Sequence, residues 1–202
     1  MADLFETFLN RISNMNRRER LTVAFSALSV AGLVLILIVV VQVWLPNRVV
    51  PYKNTMWNFS FEYPASWKKF DNRYGANVVV LSPKEGIMDV FQENVTVVIQ
   101  DLSADPMSLK AYSELAVKQV QLLFKTGIKV IEEGPAYVAG ESAYKFIYEG
   151  TDTKHPDLNL KAMHTWFIKD DRAYQINYTS LTNKYDKYLS TVEKLISSFK
   201  VK

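Results

Sequence analysis

At 202 residues and a formal net charge of +3, the chain carries no basic stripe, and no nucleic-acid partner is expected. It has no cysteine, which excludes disulfides, thiol catalysis, iron–sulfur ligation, c-type haem attachment and lipoprotein acylation. Stability must come from a packed core, which a domain of about 150 residues can bury.

The first 15 residues, 1–15, place Leu4, Phe5, Phe8, Leu9, Ile12 and Met15 at helical spacing, opposite Asp3, Glu6, Asn10, Arg11 and Asn14. Such an amphipathic unit suits a headgroup layer or the cytoplasmic side of a membrane protein, and it could equally be an extension of the spanning helix that follows. Residues 1–20 therefore read as a cytoplasmic amphipathic segment. A run of 25 residues without charge follows, Leu21 to Leu45. As a helix it would be roughly 37 Å long, against a hydrocarbon core of about 30 Å. One transmembrane helix is expected over 21–45, with Leu21, Leu33, Ile36, Val40, Trp44 and Leu45 as its anchor residues and Trp44 suited to the interfacial aromatic belt. The run exceeds a signal-peptide core and ends at Trp44-Leu45-Pro46, so an uncleaved signal-anchor is expected. Arg11, Arg17, Arg18 and Arg20 precede the run, whereas only Arg48 and Lys53 follow closely. The N-terminus is expected in the cytoplasm and the C-terminal body in a periplasm or lumen.

Residues 46–53 read as a short extended tether, because Pro51 biases its predecessor away from helix. From 54 to 202 the pattern is that of a mixed domain. Trp57 to Tyr63 alternates aromatic and polar residues, as a half-buried strand does, and Pro64 ends it before Trp67. Val78–Leu81 and Asn94–Gln100 follow as strands. Ser108 is the expected N-cap of a helix over 109–125, with Leu109, Tyr112, Leu115, Ala116, Gln119, Val120 and Leu123 inward. Lys129–Glu133 is a strand. A hairpin is expected around Gly140-Glu141 and a second around Asp170-Asp171. A last helix over 184–198, capped by Thr182 or Asn183, presents Tyr185, Tyr188, Leu189, Val192, Leu195, Ile196 and Phe199. About seven strands and two long helices predict an α+β sandwich, with antiparallel sheet flanked by helices.

Phe59-Ser60-Phe61-Glu62-Tyr63-Pro64 followed by Trp67-Lys68 resembles the opening of the PsbP family, the extrinsic proteins of the oxygen-evolving complex. The likeness continues through Val98-Ile99-Gln100, through Asp105 to Tyr112, through Gly140-Glu141-Ser142-Ala143-Tyr144, and through the Tyr-rich close at Ser197-Ser198-Phe199. It covers about Tyr52 to Lys202. The resemblance implies a PsbP-like α/β/α sandwich and a non-enzymatic adaptor that docks on a membrane assembly. With a spanning anchor in place of a transit peptide, a membrane-tethered bacterial relative fits best.

The residues themselves point to no reaction. His155 and His164 are nine apart, without cysteine or a fixed carboxylate spacing, which is weak evidence for metal. Glu132-Glu133 would point to opposite faces of a strand, and Asp170-Asp171 suits a turn. No nucleophile elbow, phosphate-cradling loop or calcium loop occurs. Neither cofactor nor metal is expected. The expected function is that of an accessory subunit, docking an extracytoplasmic domain on an integral membrane complex, photosynthetic or respiratory in kind. The alternative is a tethered module whose cleft between sheet and helix takes a peptide or apolar ligand, and an exposed aromatic patch would mark a protein interface.

Overall fold

The structure, a computed structural model, describes residues 16–40, 48–124, 127–151 and 155–202. The chain forms two compact units, Met1–Asn47 and Arg48–Lys202. The amphipathic segment expected over 1–15 lies outside the described residues.

In the first unit, helix α1 spans Arg17–Val39. It starts earlier than expected because Asn16 builds a capping box. The Asn16 side chain accepts from the Glu19 amide at 3.0 Å, and the Asn16 amide donates to Glu19 Oε2 at 2.9 Å. Thr22, Ser26 and Ser29 donate to carbonyls one turn back, those of Arg18, Thr22 and Phe25, so their hydroxyls need no outside partner. Among the described residues, no helix is long and apolar enough to cross a membrane. The first turn of α1 holds Arg17, Arg18, Glu19 and Arg20, and Trp44 and Leu45 of the expected span lie outside the described residues.

The second unit holds ten strands and two helices among its described residues. The strands are β1 (Val49–Asn54), β2 (Phe59–Pro64), β3 (Lys68–Arg73), β4 (Ala76–Leu81), β5 (Asn94–Asp101), β6 (Lys129–Val138), β7 (Glu141–Thr151), β8 (Asn159–Lys169), β9 (Arg172–Leu181) and β10 (Lys200–Val201). Helix α2 is Leu109–Leu123 and α3 is Tyr185–Ser197. A seven-stranded antiparallel sheet runs β3-β4-β5-β9-β8-β7-β6, and a small sheet runs β1-β2-β10.

Alternation along β7, β8 and β9 sends side chains to two cores, one on each face of the large sheet. Ile147, Met163, Phe167, Tyr174, Ile176 and Tyr178 meet the small sheet and α3. Phe146, Tyr148, Ala162 and Trp166 meet α2. In the first core Phe199 stacks on Phe59 and Phe61, with ring centres 5.4 and 6.0 Å apart. The Tyr178 hydroxyl donates to the Tyr185 carbonyl at 2.9 Å, tying β9 to α3.

Several expectations change for identifiable reasons. The segment expected as a tether is extended, but Val49–Asn54 pairs with β2 residue for residue and belongs to the folded unit. β3 carries no strand period in its sequence, Lys-Lys-Phe-Asp-Asn-Arg, which is that of a charged edge strand. Residues 129–138 form one strand through Gly134-Pro135, since an edge strand has a solvent side where proline loses no ladder bond. The hairpin turns fall at Tyr74-Gly75, Ala139-Gly140 and Asp170-Asp171, with positive φ at both residues of each, as two-residue hairpin turns of type I′ require. The middle turn is thus one residue earlier than expected.

Ser108 caps α2, accepting from the Ala111 amide at 3.2 Å. The inward face of α2 is rotated from the expected one: Tyr112, Ser113 and Val120 are buried, while Gln119, Leu115 and Leu123 are exposed. Neither Thr182 nor Asn183 caps α3. Thr182 donates instead to the Asn159 carbonyl at 3.2 Å, and a 3-10 turn over Thr182–Lys184 feeds the helix.

Gly150, near the end of β7, admits no side chain. A Cβ there would lie 2.7 Å from the Phe124 ring, itself packed edge-on to Tyr148 with centres 5.5 Å apart. Gly150→Ala is expected to cost about 1–2 kcal/mol through overpacking. Urea unfolding followed by circular dichroism checks this; an unchanged midpoint would mean that the Phe124 ring yields freely.

Candidate functional site

An open groove of about 1260 Å3 lies between α2 and the β6–β7 hairpin. Leu109, Ser113 and Val117 line it from the helix, and Ala136, Ala143 and Tyr144 from the strands. Tyr137 lines it too and is 76 % exposed. The charges along the groove are Lys110, Glu114 and Lys118 on α2 and Glu133 on β6.

The position of α2 is set by polar ties to the sheet. Trp166 Nε1 donates to Ser113 Oγ at 2.8 Å, and Ser113 Oγ donates to the Leu109 carbonyl at 2.7 Å. Gln175 Nε2 donates to the Tyr112 hydroxyl at 2.6 Å, which in turn donates to Gln100 Oε1 at 3.2 Å. The Trp166 ring stacks on Tyr144 with centres 5.5 Å apart, fixing one wall. Burial, then the Glu133 carboxylate that accepts its hydroxyl's bond, holds the Tyr144 phenol above its ordinary value.

This arrangement suits an apolar segment better than a reacting substrate. The walls are aliphatic and aromatic, charges sit along the margin, and β6 is the outer strand of the sheet, so its free edge can pair with an extended chain. A smaller opening of about 440 Å3 lies on the other face, between α3 and β6–β8. Glu132 lines it, ion-paired with Lys145, so Glu132 and Glu133 face opposite sides as expected.

His164 sits in β8 with Nε2 3.3 Å from the Tyr148 hydroxyl, and burial lowers its pKa to about 4. His155 lies exposed in the loop before β8. Among the described residues, no three histidine or carboxylate side chains converge in a way that could hold a metal ion.

Most residues singled out in the sequence serve the fold. Phe59, Phe61 and Trp67 are buried, Tyr63 and Pro64 are half-buried, and Gly140 makes the β6–β7 turn at φ 82°. Of the motif residues, Tyr144 lines the groove. Among the described residues the aromatics are mostly core, and the two most exposed tyrosines, Tyr74 and Tyr137, belong to opposite edges of the sheet and form no common patch. In the first unit Leu21, Leu33, Ile36 and Val40 are exposed, at 49, 66, 62 and 37 %. Sequence reasoning missed Ser113 and Val117. Trp166, whose indole N–H needs an acceptor once buried, was the available clue to Ser113.

The model of the PsbP family matches residues 47–201. The chain belongs to the PsbP family. Solved structures agree in fold. Cyanobacterial PsbP (CyanoP) from Synechocystis is 18 % identical, with a TM-score of 0.53 over 76 % of this chain and 92 % of its own. LpqN of Mycobacterium tuberculosis, involved in cell envelope biogenesis, is 9 % identical, with a TM-score of 0.56 over 76 % and 90 %. The Ran-binding protein Mog1p of Saccharomyces cerevisiae is 11 % identical, with a TM-score of 0.51 over 76 % and 95 %. At these identities the likeness is one of fold. No curated protein matches the chain in sequence.

Proposed function

We propose that this PsbP-family protein is a non-catalytic accessory subunit, anchored by one membrane-spanning helix, that docks its domain on an integral membrane complex and stabilises it. The observation that carries this reading is α1: Phe25, Leu28, Val30, Leu33, Leu35 and Leu37 are all more than half exposed, and the charge-free run they belong to is long enough for a bilayer. The arginine excess before the run supports a cytoplasmic N-terminus and a PsbP-like domain in a periplasm or lumen. The groove between α2 and β6–β7 is the docking surface, with Tyr137 as its anchor. CyanoP, a PsbP of a cyanobacterium, makes a photosynthetic complex one candidate and a respiratory complex another.

The test is detergent extraction of the tagged full chain from native membranes. A stoichiometric membrane-protein partner is expected. Tyr137→Asp should weaken that partner's binding about thirtyfold, the loss of an aromatic anchor of about 2 kcal/mol, without releasing the protein from the membrane. A solitary monomer overturns the accessory role, and unchanged binding by the variant overturns the groove.

The second reading, a tethered peptide-binding module, is favoured by the free edge of β6 beside an apolar groove. It predicts that the purified protein binds short extended apolar peptides in place of a stable subunit.

A further inference from the structure

The β4–β5 connection, residues 82–93, places Ile87, Met88 and Val90 in water at 103, 89 and 77 % exposure. Three exposed apolar side chains within four residues at a loop tip, interrupted only by the inward-bonded Asp89, are costly unless something covers them. The loop is not loose. Its base is closed by the Ser82 amide on the Glu93 carbonyl at 2.8 Å and by Gln92 Nε2 on the Ser82 carbonyl at 2.6 Å. It is tied to the 3-10 turn before α3 and to α3 itself: Lys184 Nζ to Asp89 Oδ1 at 3.0 Å, Lys187 Nζ to Glu85 Oε1 at 2.8 Å, and the Tyr188 hydroxyl to Glu85 Oε1 at 2.8 Å. The Glu85 amide donates to Asp89 Oδ2 across the turn at 3.0 Å. Polar ties hold the loop while its apolar side chains project.

The loop also lies at a particular end of the domain. The Ala65 amide donates to the Arg48 carbonyl at 2.7 Å, and the Trp67 amide to the Pro64 carbonyl at 2.9 Å. Trp67 packs edge-on to Tyr188, with ring centres 5.4 Å apart, and Tyr188 reaches Glu85. Lys68, next to Trp67, pairs with Leu81 at the root of the loop. Arg48, where the domain's chain begins, and the tip at 87–90 therefore share one end. Only Pro46 and Asn47 separate Arg48 from Leu45, a reach of at most about 11 Å.

We infer that the loop carrying Ile87, Met88 and Val90 inserts into the interfacial layer of the bilayer, as a second membrane contact that sets the tilt of the domain. The inference rests on the anchored reading above, which brings this end of the domain to the lipid surface. The contact needs little affinity of its own, because the tether supplies a high local concentration of lipid. A lipid surface is favoured over a protein because the nearest surface to an end tethered this closely is the bilayer itself.

The absence of cysteine allows a clean test. The full-length chain is reconstituted into vesicles of phosphatidylcholine and phosphatidylglycerol, with an environment-sensitive fluorophore on Met88→Cys or, as control, on Ser103→Cys in the exposed loop after β5, at the opposite end. The probe at 88 should emit to the blue of the probe at 103, and lipids carrying a quencher near the headgroup should quench it. The probe at 103 should show neither effect. If the vesicles retain the protein but the probe at 88 reports water, the loop contact is wrong and the anchor stands. A blue shift without quenching by lipid overturns it in favour of contact with a second copy. Release of the protein from the vesicles by alkaline wash overturns the anchor itself.

Discussion

Trp166→Ala is expected to cost about 3–5 kcal/mol and to loosen α2 from the sheet, abolishing the groove with it. Trp166 is 1 % exposed, lies 6.5 Å from the Phe146 ring centre and 5.5 Å from that of Tyr144, and reaches α2 through Ser113. Truncation removes a large buried ring and leaves a void that the flanking strands, locked in antiparallel register on both sides, cannot close. Ser113→Ala separates the packing from the hydrogen bond. It strands the indole N–H in an apolar core, at an expected cost of about 1–3 kcal/mol. Trp166→Phe deletes the N–H but keeps an aromatic, so adding Ser113→Ala to it should cost less than Ser113→Ala alone. Urea unfolding of the native protein, Ser113→Ala, Trp166→Phe and the double variant, followed by far-ultraviolet circular dichroism, reads the cycle, and Trp166→Ala is unfolded beside them. A Trp166→Ala loss below about 1 kcal/mol would mean that α2 is held elsewhere, and Gln175 with Tyr112 would be the next pair to examine.

How far the domain could be read from its residues depends on how each element earns its burial. β5 and most of β9 alternate buried with half-buried residues because the face toward α3 and the small sheet is covered more completely than the other, whereas β8, covered on both faces, is buried from Ala162 to Phe167 apart from half-buried His164. The Tyr-rich stripe of α3 was equally plain, since Tyr185, Val192, Leu195 and Phe199 keep one face over the whole helix. β3 offered no such pattern: it is a charged edge strand with Lys68 and Arg73 exposed and Lys69 half-buried over the Tyr52 ring, and pairing with β4 alone defines it. The rotation of α2 has a similar origin. Leu115 and Leu123 outrank Ser113 in hydrophobicity, yet the buried indole of Trp166 needs a hydrogen-bond acceptor, and a serine on the neighbouring helix supplies it. That requirement is tertiary and leaves no periodic trace. The family motif pointed correctly to the fold because its aromatics, Phe59, Phe61 and Trp67, are core residues. For the same reason it said little about the site. The groove lies where core ends and edge begins, among Tyr137, Tyr144 and Val117, and its shape follows from where α2 comes to rest.

His164 gives the domain a stability that depends on acidity in a defined window. Its ring lies edge-on to Tyr148, with centres 5.3 Å apart, on the face that α2 covers. Burial lowers its pKa from an ordinary 6.5 to about 4. The unfolded chain therefore binds a proton over an interval where the folded chain does not, so stability rises with pH across it. The contribution is complete above about pH 6.5, is lost as the pH falls toward 4, and changes no further below that. The difference, 6.5 − 4, is about 2.5, which sets a ceiling of about 3 kcal/mol, trimmed by whatever water reaches the ring. Carboxylates act lower. Asp71, hydrogen-bonded by Lys69 and Tyr52, and Glu85, held by Lys187 and Tyr188, have pKa values below their ordinary 3.8 and 4.5, so their losses come mainly below pH 4.5. Of His164, Asp71 and Glu85, it is His164 that contributes a slope between pH 6.5 and 4.5. Urea midpoints should fall steadily over that interval in the native protein. His164→Gln, which cannot charge, should flatten the slope while keeping a polar group near the Tyr148 hydroxyl. An equal slope in both proteins would show that His164 is reached by solvent and titrates alike folded and unfolded. A flattened one would locate the acid sensitivity beneath α2, on the side that carries the groove.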